Sequence, residues 1–372
     1  MEIRGKVEAE PVGDVTAALG EGPYWVPDED RLLWVDIPEG QVHRTDVASG
    51  VTESIKVEPE GRPGEHGQGN TVSAAFPVAG GGILVAGRRE LTLRFDAEDA
   101  KDGEDGEPRP SRVVAEVPPA DGVRFNDGAV DPAGRVWIGS MHTGETEPLG
   151  ELYRLDGSVL TPVVRKVTIS NGLGWNPEGS LMYYVDSPSR KIDVFDYDPA
   201  TGEVSGRRLF ADLRYADGTP DGLTVDADGC VWVAMWGGAA LRRFTPAAKP
   251  DVMLPVPVAR PTSCAFGGPD LSELYVTTAS IGLSEEARAA QPLAGRLLRL
   301  RPGPVGLPSA TASAMLPSPP DDSALADAPD ESVLARIASL ADFTGSSTPG
   351  KPLDKPSLGK PSPGKAERPQ GS

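Results

Sequence analysis

The sequence predicts an all-β fold, a six-bladed β-propeller with a disordered C-terminal tail, and three observations predict it. Short stretches of alternating hydrophobicity, each closed by Gly, Pro, Asp or Asn, fill the chain up to about residue 300, as strands joined by tight turns do. A unit of the form D-x-x-G-x-hydrophobic-aromatic-hydrophobic recurs among them, as VDPAGRVWIGS from position 130 and VDADGCVWVAM from position 225. Beyond about Pro302 the composition turns to Pro, Ser, Ala and Gly. With 44 Gly and 38 Pro in 372 residues, the chain is rich in turn formers yet short of the low-complexity range.

Looser copies of the unit, VPDEDRLLWVD, VAGGGILVAG, NPEGSLMYYVD and GGPDLSELYVT, complete the series. With Trp34, Leu84, Trp137, Tyr184, Trp232 and Tyr275 as equivalent strand positions, the repeat runs at 43 to 53 residues, the span of a four-stranded blade. Six blades closed in a ring leave no long free edge, so residues 1–302 are expected to form one domain. Two inserts, around 59–70 and 96–110, read as surface loops; the second is highly charged and has almost no apolar residues to support ordering. The tail, 303–372, reads as disordered and partly polyproline-like. Within it DESVLARIASLADF, near 330–343, places Val333, Ile337 and Leu340 on one helical face, which suits a short helix, docked or transient.

Composition also excludes functions. With 55 acidic against 36 basic residues the net charge is −19, which argues against nucleic acid or an anionic membrane as partner, since both need concentrated Lys and Arg. No apolar run of transmembrane length occurs and the first residues, MEIRGKVEAE, are charged, so a cytoplasmic protein is expected. Cys230 and Cys264 make neither a disulfide framework nor a zinc set and read as reduced thiols in apolar surroundings. His43, His66 and His142 share no metal-ligand spacing and read as surface residues, His142 lying nearest the expected channel mouth.

The sharpest signal lies a fixed distance before each marker. Eleven residues before Leu84, Trp137, Trp232 and Tyr275 stand Ser73, Asn126, Asp221 and Cys264; thirteen before Trp34 and Tyr184, with hairpins two residues longer, stand Glu21 and Asn171. At one end of the innermost strands these six converge on the channel, and four carry carboxylate or amide oxygens. Glycine follows closely in GEG, NGL, DGL and NDG, as where backbone turns beneath a crowded site. Two carboxylates facing across a narrow channel repel and are costly to bury. A divalent cation relieves both costs, and an all-oxygen donor set suits Ca²⁺, Mg²⁺ or Mn²⁺ better than structural zinc. Arg124, two residues before Asn126, either pairs with Asp121 or Asp127 or donates hydrogen bonds to a polar ligand.

The strings LGEGPYW, LLWVDIPEGQVHR, RFNDGAVDPAGRVWIGSM, ISNGLGWNPEG, VFDYDPATGEVSGRR, PDGLTVDADGCVWVAMW and PTSCAFGGPDLSELYVTT closely resemble the regucalcin family, also called the senescence marker protein, gluconolactonase and luciferin-regenerating-enzyme family. The resemblance is collinear over roughly residues 15–302 and does not reach the tail. It implies a six-bladed propeller with one catalytic divalent metal, Ca²⁺ foremost with Zn²⁺, Mg²⁺ or Mn²⁺ as alternatives, and hydrolysis of sugar lactones to aldonic acids. Carried over by motif, it assigns Glu21, Asn171 and Asp221 as metal ligands and Arg124 and Asn126 as the substrate-contacting pair; Asp221, with one oxygen free of the ion, is the candidate catalytic base. The chain departs from the pattern where some members carry an acidic substrate contact three residues after the methionine of the G-[ST]-M segment. Gly144 stands there, with Glu145 one residue later, so Glu145 is the candidate for that contact. The expected partner is a small-molecule lactone; a calcium-binding regulatory propeller without turnover and a hydrolase of non-sugar esters or lactones are the alternative readings.

Overall fold

In two of the repeats the turn is tied to its own marker tryptophan. The computed structural model describes residues 2–3, 7–57, 70–95, 111–117 and 121–313. In VDPAGRVW, Asp131 Oδ1 accepts the N–H groups of Ala133 and Arg135 while its Oδ2 accepts the indole N–H of Trp137 at 3.1 Å. Asp226 repeats this in VDADGCVW, taking the N–H groups of Asp228 and Cys230 and the indole of Trp232 at 2.8 Å. In NPEGSL the amide oxygen of Asn176 caps the same turn, accepting from Ser180 and Leu181. The repeated Asp or Asn thus satisfies turn donors that would otherwise be buried without a partner.

Six sheets result. Blade 1 comprises Gly20–Val26, Arg31–Asp36, Gln41–Asp46 and Thr52–Lys56, and blade 2 comprises Ala74–Pro77, Ile83–Ala86, Glu90–Arg94 and Arg112–Glu116. Blade 3 comprises Val123–Val130, Val136–His142, Gly150–Asp156 and Val159–Val167, and blade 4 comprises Ser170–Trp175, Leu181–Asp186, Lys191–Asp198 and Glu203–Asp212. Blade 5 is Thr219–Val225, Val231–Trp236, Ala240–Phe244 and Pro250–Pro255, and blade 6 is Pro261–Gly267, Glu273–Thr278 and Leu297–Leu300. The ring closes as expected, by a means the repeat alone does not reveal. The fourth strand of blade 6 is Glu10–Val12, antiparallel to Leu297–Leu300, and Glu2–Ile3 adds a parallel strand to blade 5. Blade 6 also holds one short helix, Glu285–Ala290, capped by Ser284. No helix among the described residues is long and apolar enough to cross a membrane. The core lies between blades, where the marker side chains Trp34, Trp137, Tyr184, Trp232 and Tyr275 are almost fully buried.

Two expectations need correction. His43 is not a surface residue: it is 1% exposed, its ring centroid lies 4.3 Å from that of Trp34, and Nδ1 meets Ser54 Oγ at 2.8 Å. Burial lowers its imidazole to about 4, below the unfolded value of about 6.5. The native state therefore holds it neutral, so its contribution to stability is whole above about pH 6.5 and is lost as pH falls towards 4. The loss amounts to at most about 3 kcal/mol. Unfolding midpoints measured between about pH 7 and 4 are expected to fall less steeply for His43→Gln than for wild type; identical slopes would refute this.

The second correction concerns the end of the propeller, expected at 302. Residues 303–313 continue as a strap. Val305 O accepts from Ala227 N, and Gly306 N donates to Leu271 O, on the turns of blades 5 and 6. Ala312 pairs with Val78, and Ser313 N donates to Gly134 O, on the turns of blades 2 and 3. Between these anchors Tyr24 of blade 1 donates its hydroxyl to Ala310 O. Blades 5 and 6 face blades 2 and 3 across a six-membered ring, so the strap spans its diameter. A side chain at Gly306 would place Cβ 2.1 Å from Phe266 Cβ, so the strap lies flat only because that residue is glycine. Residues 307–310 floor a channel cavity of about 340 Å³, lined also by Trp25, Leu173, Leu223 and Cys264. In a Cys230→Ala background, a chain ending at 302 is expected to melt lower than one ending at 313 and to expose Cys264 to a thiol reagent. Equal protection of Cys264 in both would contradict the strap's role as a floor. The inserts, apart from Asn70, and the 330–343 helix lie outside the described residues.

Candidate active site in the channel

The innermost strands carry the site on register irregularities. Pairing with the second strand shifts between Glu21 and Tyr24 in blade 1, Phe125 and Gly128 in blade 3, Ser170 and Leu173 in blade 4, and Pro220 and Leu223 in blade 5. Asn126, Asn171 and Asp221 sit inside these bulges, and Glu21 borders its own. A bulge re-aims a side chain that the pleat would otherwise commit to one face. The carbonyl just before each of these four residues is held by a side chain of a neighbouring blade. Thr262 Oγ1 donates to Gly20 O at 2.6 Å, Ser73 Oγ to Phe125 O at 2.7 Å, Asn126 Nδ2 to Ser170 O at 2.9 Å and Ser187 Oγ to Pro220 O at 2.7 Å. The ring is therefore stitched blade to blade one residue behind each oxygen-bearing side chain.

This stitching corrects the spacing for blade 6. Trp232 pairs with Thr224 but Tyr275 pairs with Ala265, so three residues back from these partners stand Asp221 and Thr262. Thr262, not Cys264, holds the equivalent place. Cys264 lies two residues deeper, lining the cavity, and both cysteines are free and buried. Burial pushes the Cys230 thiol up to about 11 and raises Cys264 as well.

The glycines serve close approach more than turning. Of the glycines in GEG, NGL, DGL and NDG, only Gly22 has positive φ, at 54°. At Gly172 a Cβ would lie 2.5 Å from Leu223 N, and at Gly222 it would lie 2.0 Å from Ser263 Oγ, so adjacent inner strands touch where their side chains must converge.

One hydrogen-bond chain runs from blade 3 into blade 4. Arg124 Nη1 donates to Asn126 Oδ1 at 3.0 Å, Asn126 Nδ2 to Asn171 Oδ1 at 2.8 Å, and Asn171 Nδ2 to Ser187 Oγ at 2.7 Å. Asn126 therefore turns its oxygen to Arg124 and its N–H to Asn171. Arg124 also donates to Phe125 O, and the described ion pairs include none between it and Asp121 or Asp127. Burial lowers its guanidinium to about 10, with Glu145 the first of the opposing carboxylates. Glu145 reaches Arg124's vicinity from a left-handed residue, φ 59°, in a turn where its N–H donates to His142 O. Gly144 spends its own N–H on His142 Nδ1.

Asp127, which the spacing left as a partner for Arg124, instead lines the cavity and acts on the site electrostatically. Burial, then Asp221 and Asp127, hold the Glu21 carboxyl well above its usual range. Burial, then Asp127, do the same to Asp221, and burial raises Asp127 to about 6. Its adjacency to Asn126 in N-D-G was the sequence signal for it, masked because Asp-Gly also reads as a turn. Glu21, Asp127 and Asp221 are each at most 7% exposed and enter no described ion pair. Among the described residues no group of three or more His, Cys, Asp and Glu is disposed to hold a metal; the donor set here mixes carboxylates with the Asn171 amide. Buried carboxylates in no described ion pair, on which Arg124 exerts only the weakest influence at Glu21, fit a hard divalent ion together with an amide oxygen, and Glu21, Asn171 and Asp221 are the residues that would hold it.

Fold and site together define a six-bladed propeller with an oxygen-lined channel centre. Residues 19–280 match the family model described as the SMP-30/Gluconolactonase/LRE-like region, and the chain belongs to that family. It is 34% identical over 287 residues to a putative sugar lactone lactonase of Bacillus subtilis, covering 76% of this chain and 91% of that protein. It is 35% identical over 312 residues to a pentonolactonase of Haloferax volcanii, covering 82% and 98%. The crystal structure of a calcium-binding protein, regucalcin, from Agrobacterium tumefaciens superposes with a TM-score of 0.73 at 27% identity, covering 82% of this chain and 97% of that one.

Proposed function

We propose that this protein is a divalent-metal-dependent lactonase that opens sugar lactones to the aldonic acid. The observation that carries the reading is that the buried carboxyls of Glu21, Asp221 and Asp127 repel one another and enter no described ion pair, Arg124 being the weakest of the influences on Glu21 and absent from those on Asp221. Membership of a lactonase family, with relatives named for sugar-lactone and pentonolactone hydrolysis, supports the reaction class. Glu21, Asn171 and Asp221 would hold a divalent ion, which when bound would supply Lewis-acid polarisation of the ester and offset developing charge, a contribution of several kcal/mol. Asp221 takes a proton from the attacking water at a carboxylate oxygen and returns it to the ring oxygen as the acyl C–O bond breaks, which leaves the carboxyl and hydroxyl of the aldonic acid. Arg124 donates to the sugar hydroxyls or the carbonyl, Asn126 fixes Arg124 through Oδ1, and Glu145 accepts from a hydroxyl at the mouth, so together they orient the ring. Calcium is the ion favoured by the oxygen donors.

The test is a pH-stat assay on gluconolactone and a panel of aldonolactones, run with Ca²⁺, Mg²⁺, Mn²⁺ or Zn²⁺ and after thorough chelation. Hydrolysis that stops on chelation and returns with one ion supports the proposal. Tight Ca²⁺ binding without turnover of any lactone would instead favour a binding protein, and activity confined to aryl esters would move the substrate class.

A further inference from the structure

An asparagine serves a cation only through its oxygen, so a channel built on Asn171 needs something to decide which way the amide faces. The hydrogen-bond inventory around Ser187 decides it. Ser187 lies at the start of the single-turn helix Ser187–Ser189, just beyond the second strand of blade 4, and is 5% exposed. Its hydroxyl has one proton, and that proton goes to Pro220 O at 2.7 Å, a carbonyl that can only accept. The Ser187 oxygen must therefore act as acceptor towards Asn171, at 2.7 Å. That turns Nδ2 outward and leaves Oδ1 facing Asn126 Nδ2 on the channel side. The turn is itself anchored. Asp186 accepts from the N–H groups of Thr168 and Ile169, and Arg190 donates to Ala216 O and Gly218 O across the blade boundary.

We propose that Ser187 is a positioning residue for the ion site: its hydroxyl, polarised by Pro220, orients the Asn171 amide so that oxygen rather than nitrogen faces the cation. The inference rests on the metal-site reading above and goes beyond it to a residue outside the ligand set. With the hydroxyl gone, no described hydrogen bond accepts the amide N–H groups and only Asn126 holds the amide, through Oδ1; a flipped amide would put two donors towards the ion. Outer partners that orient a ligand in this way are typically worth about 10- to 100-fold in metal affinity.

The experiment titrates Ca²⁺ alone into chelator-treated full-length protein by isothermal calorimetry, in a cycle of four proteins: wild type, Ser187→Ala, Asn171→Asp and the double variant. In the Asn171 background Ser187→Ala is expected to weaken Ca²⁺ binding about 10- to 100-fold. In the Asn171→Asp background the same change is expected to cost under about 3-fold, because a carboxylate has no wrong face. A general loss of packing would cost the same in both. Equal losses in the two backgrounds, or unaltered affinity in Ser187→Ala, would overturn the inference while leaving the metal site standing. Absence of Ca²⁺ binding by wild type would count against the metal-site reading itself. If Ser187→Ala does not fold, as judged by circular dichroism of the ion-free protein, Ser187→Cys takes its place. Its thiol is a weak acceptor, and a weakening in the Asn171 background alone is again expected.

Discussion

Asp221→Asn is expected to reduce lactone hydrolysis by at least about 100- to 10,000-fold, the usual range for loss of a general base, and to raise the melting temperature of the ion-free protein. The two effects share one cause. Burial and Asp127 both disfavour the charged form of Asp221, so its folded pKa lies above its unfolded value. A carboxyl in that position costs the native state nothing at low pH and increasingly destabilises it as pH rises through the interval between the two values. Asparagine keeps the shape and removes the charge, so the ion-free variant gains stability at neutral pH, and the gain should vanish near about pH 3, where both folded and unfolded carboxyls are protonated. The measurements are calorimetric melting after chelation at both pH values and pH-stat turnover with added ion. Unchanged turnover in a folded variant would remove Asp221 from the chemistry. A lower melting temperature at neutral pH would mean that its charge is compensated within the protein.

Gly172→Ala should fail for a steric reason. The new Cβ would stand 2.5 Å from Leu223 N, 2.7 Å from Asp221 O and 2.9 Å from the carbonyl carbon of Gly222, all backbone atoms of the neighbouring inner strand. Flexible side chains can yield to such a contact; a hydrogen-bonded strand cannot, and the usual cost of overpacking is about 1–3 kcal/mol or more. Because the strand pushed aside is the one that carries Asp221, turnover should fall further than stability does. Gly87→Ala, where the nearest atom to a Cβ is Glu90 O at 3.5 Å, is the control expected to behave as wild type. If Gly172→Ala melts and turns over like that control, blades 4 and 5 are not in the tight contact described.

Much of this was readable in one dimension. The spacing of Trp34, Leu84, Trp137, Tyr184, Trp232 and Tyr275 reports blade count because a four-stranded sheet needs a nearly constant length of chain. The turn residues Asp131, Asn176 and Asp226 stand at fixed offsets because each caps its own hairpin. The same equivalence of blades singles out Glu21, Asn126, Asn171 and Asp221, of which Asn126 meets Asn171 by a hydrogen bond and Asp221 acts electrostatically on Glu21. Cys264 was misplaced because its hairpin runs two residues longer relative to the marker, a length visible only in the pairing of Tyr275 with Ala265. His43 was misread because a polar residue in an alternating strand reads as outward, and only packing put it against Trp34.

The chain by itself determined whatever repeats or is local: strand period, turn chemistry and blade number. Tertiary structure decided what depends on contacts between distant segments. The closing strand from the N-terminus, the strap of 303–313 over the far end of the channel, the place of Asp127 among the carboxylates, and the hydroxyl of Ser187 behind Asn171 all join residues far apart in sequence. No repeat offset encodes those contacts, because each is set by which surfaces meet once the ring has closed.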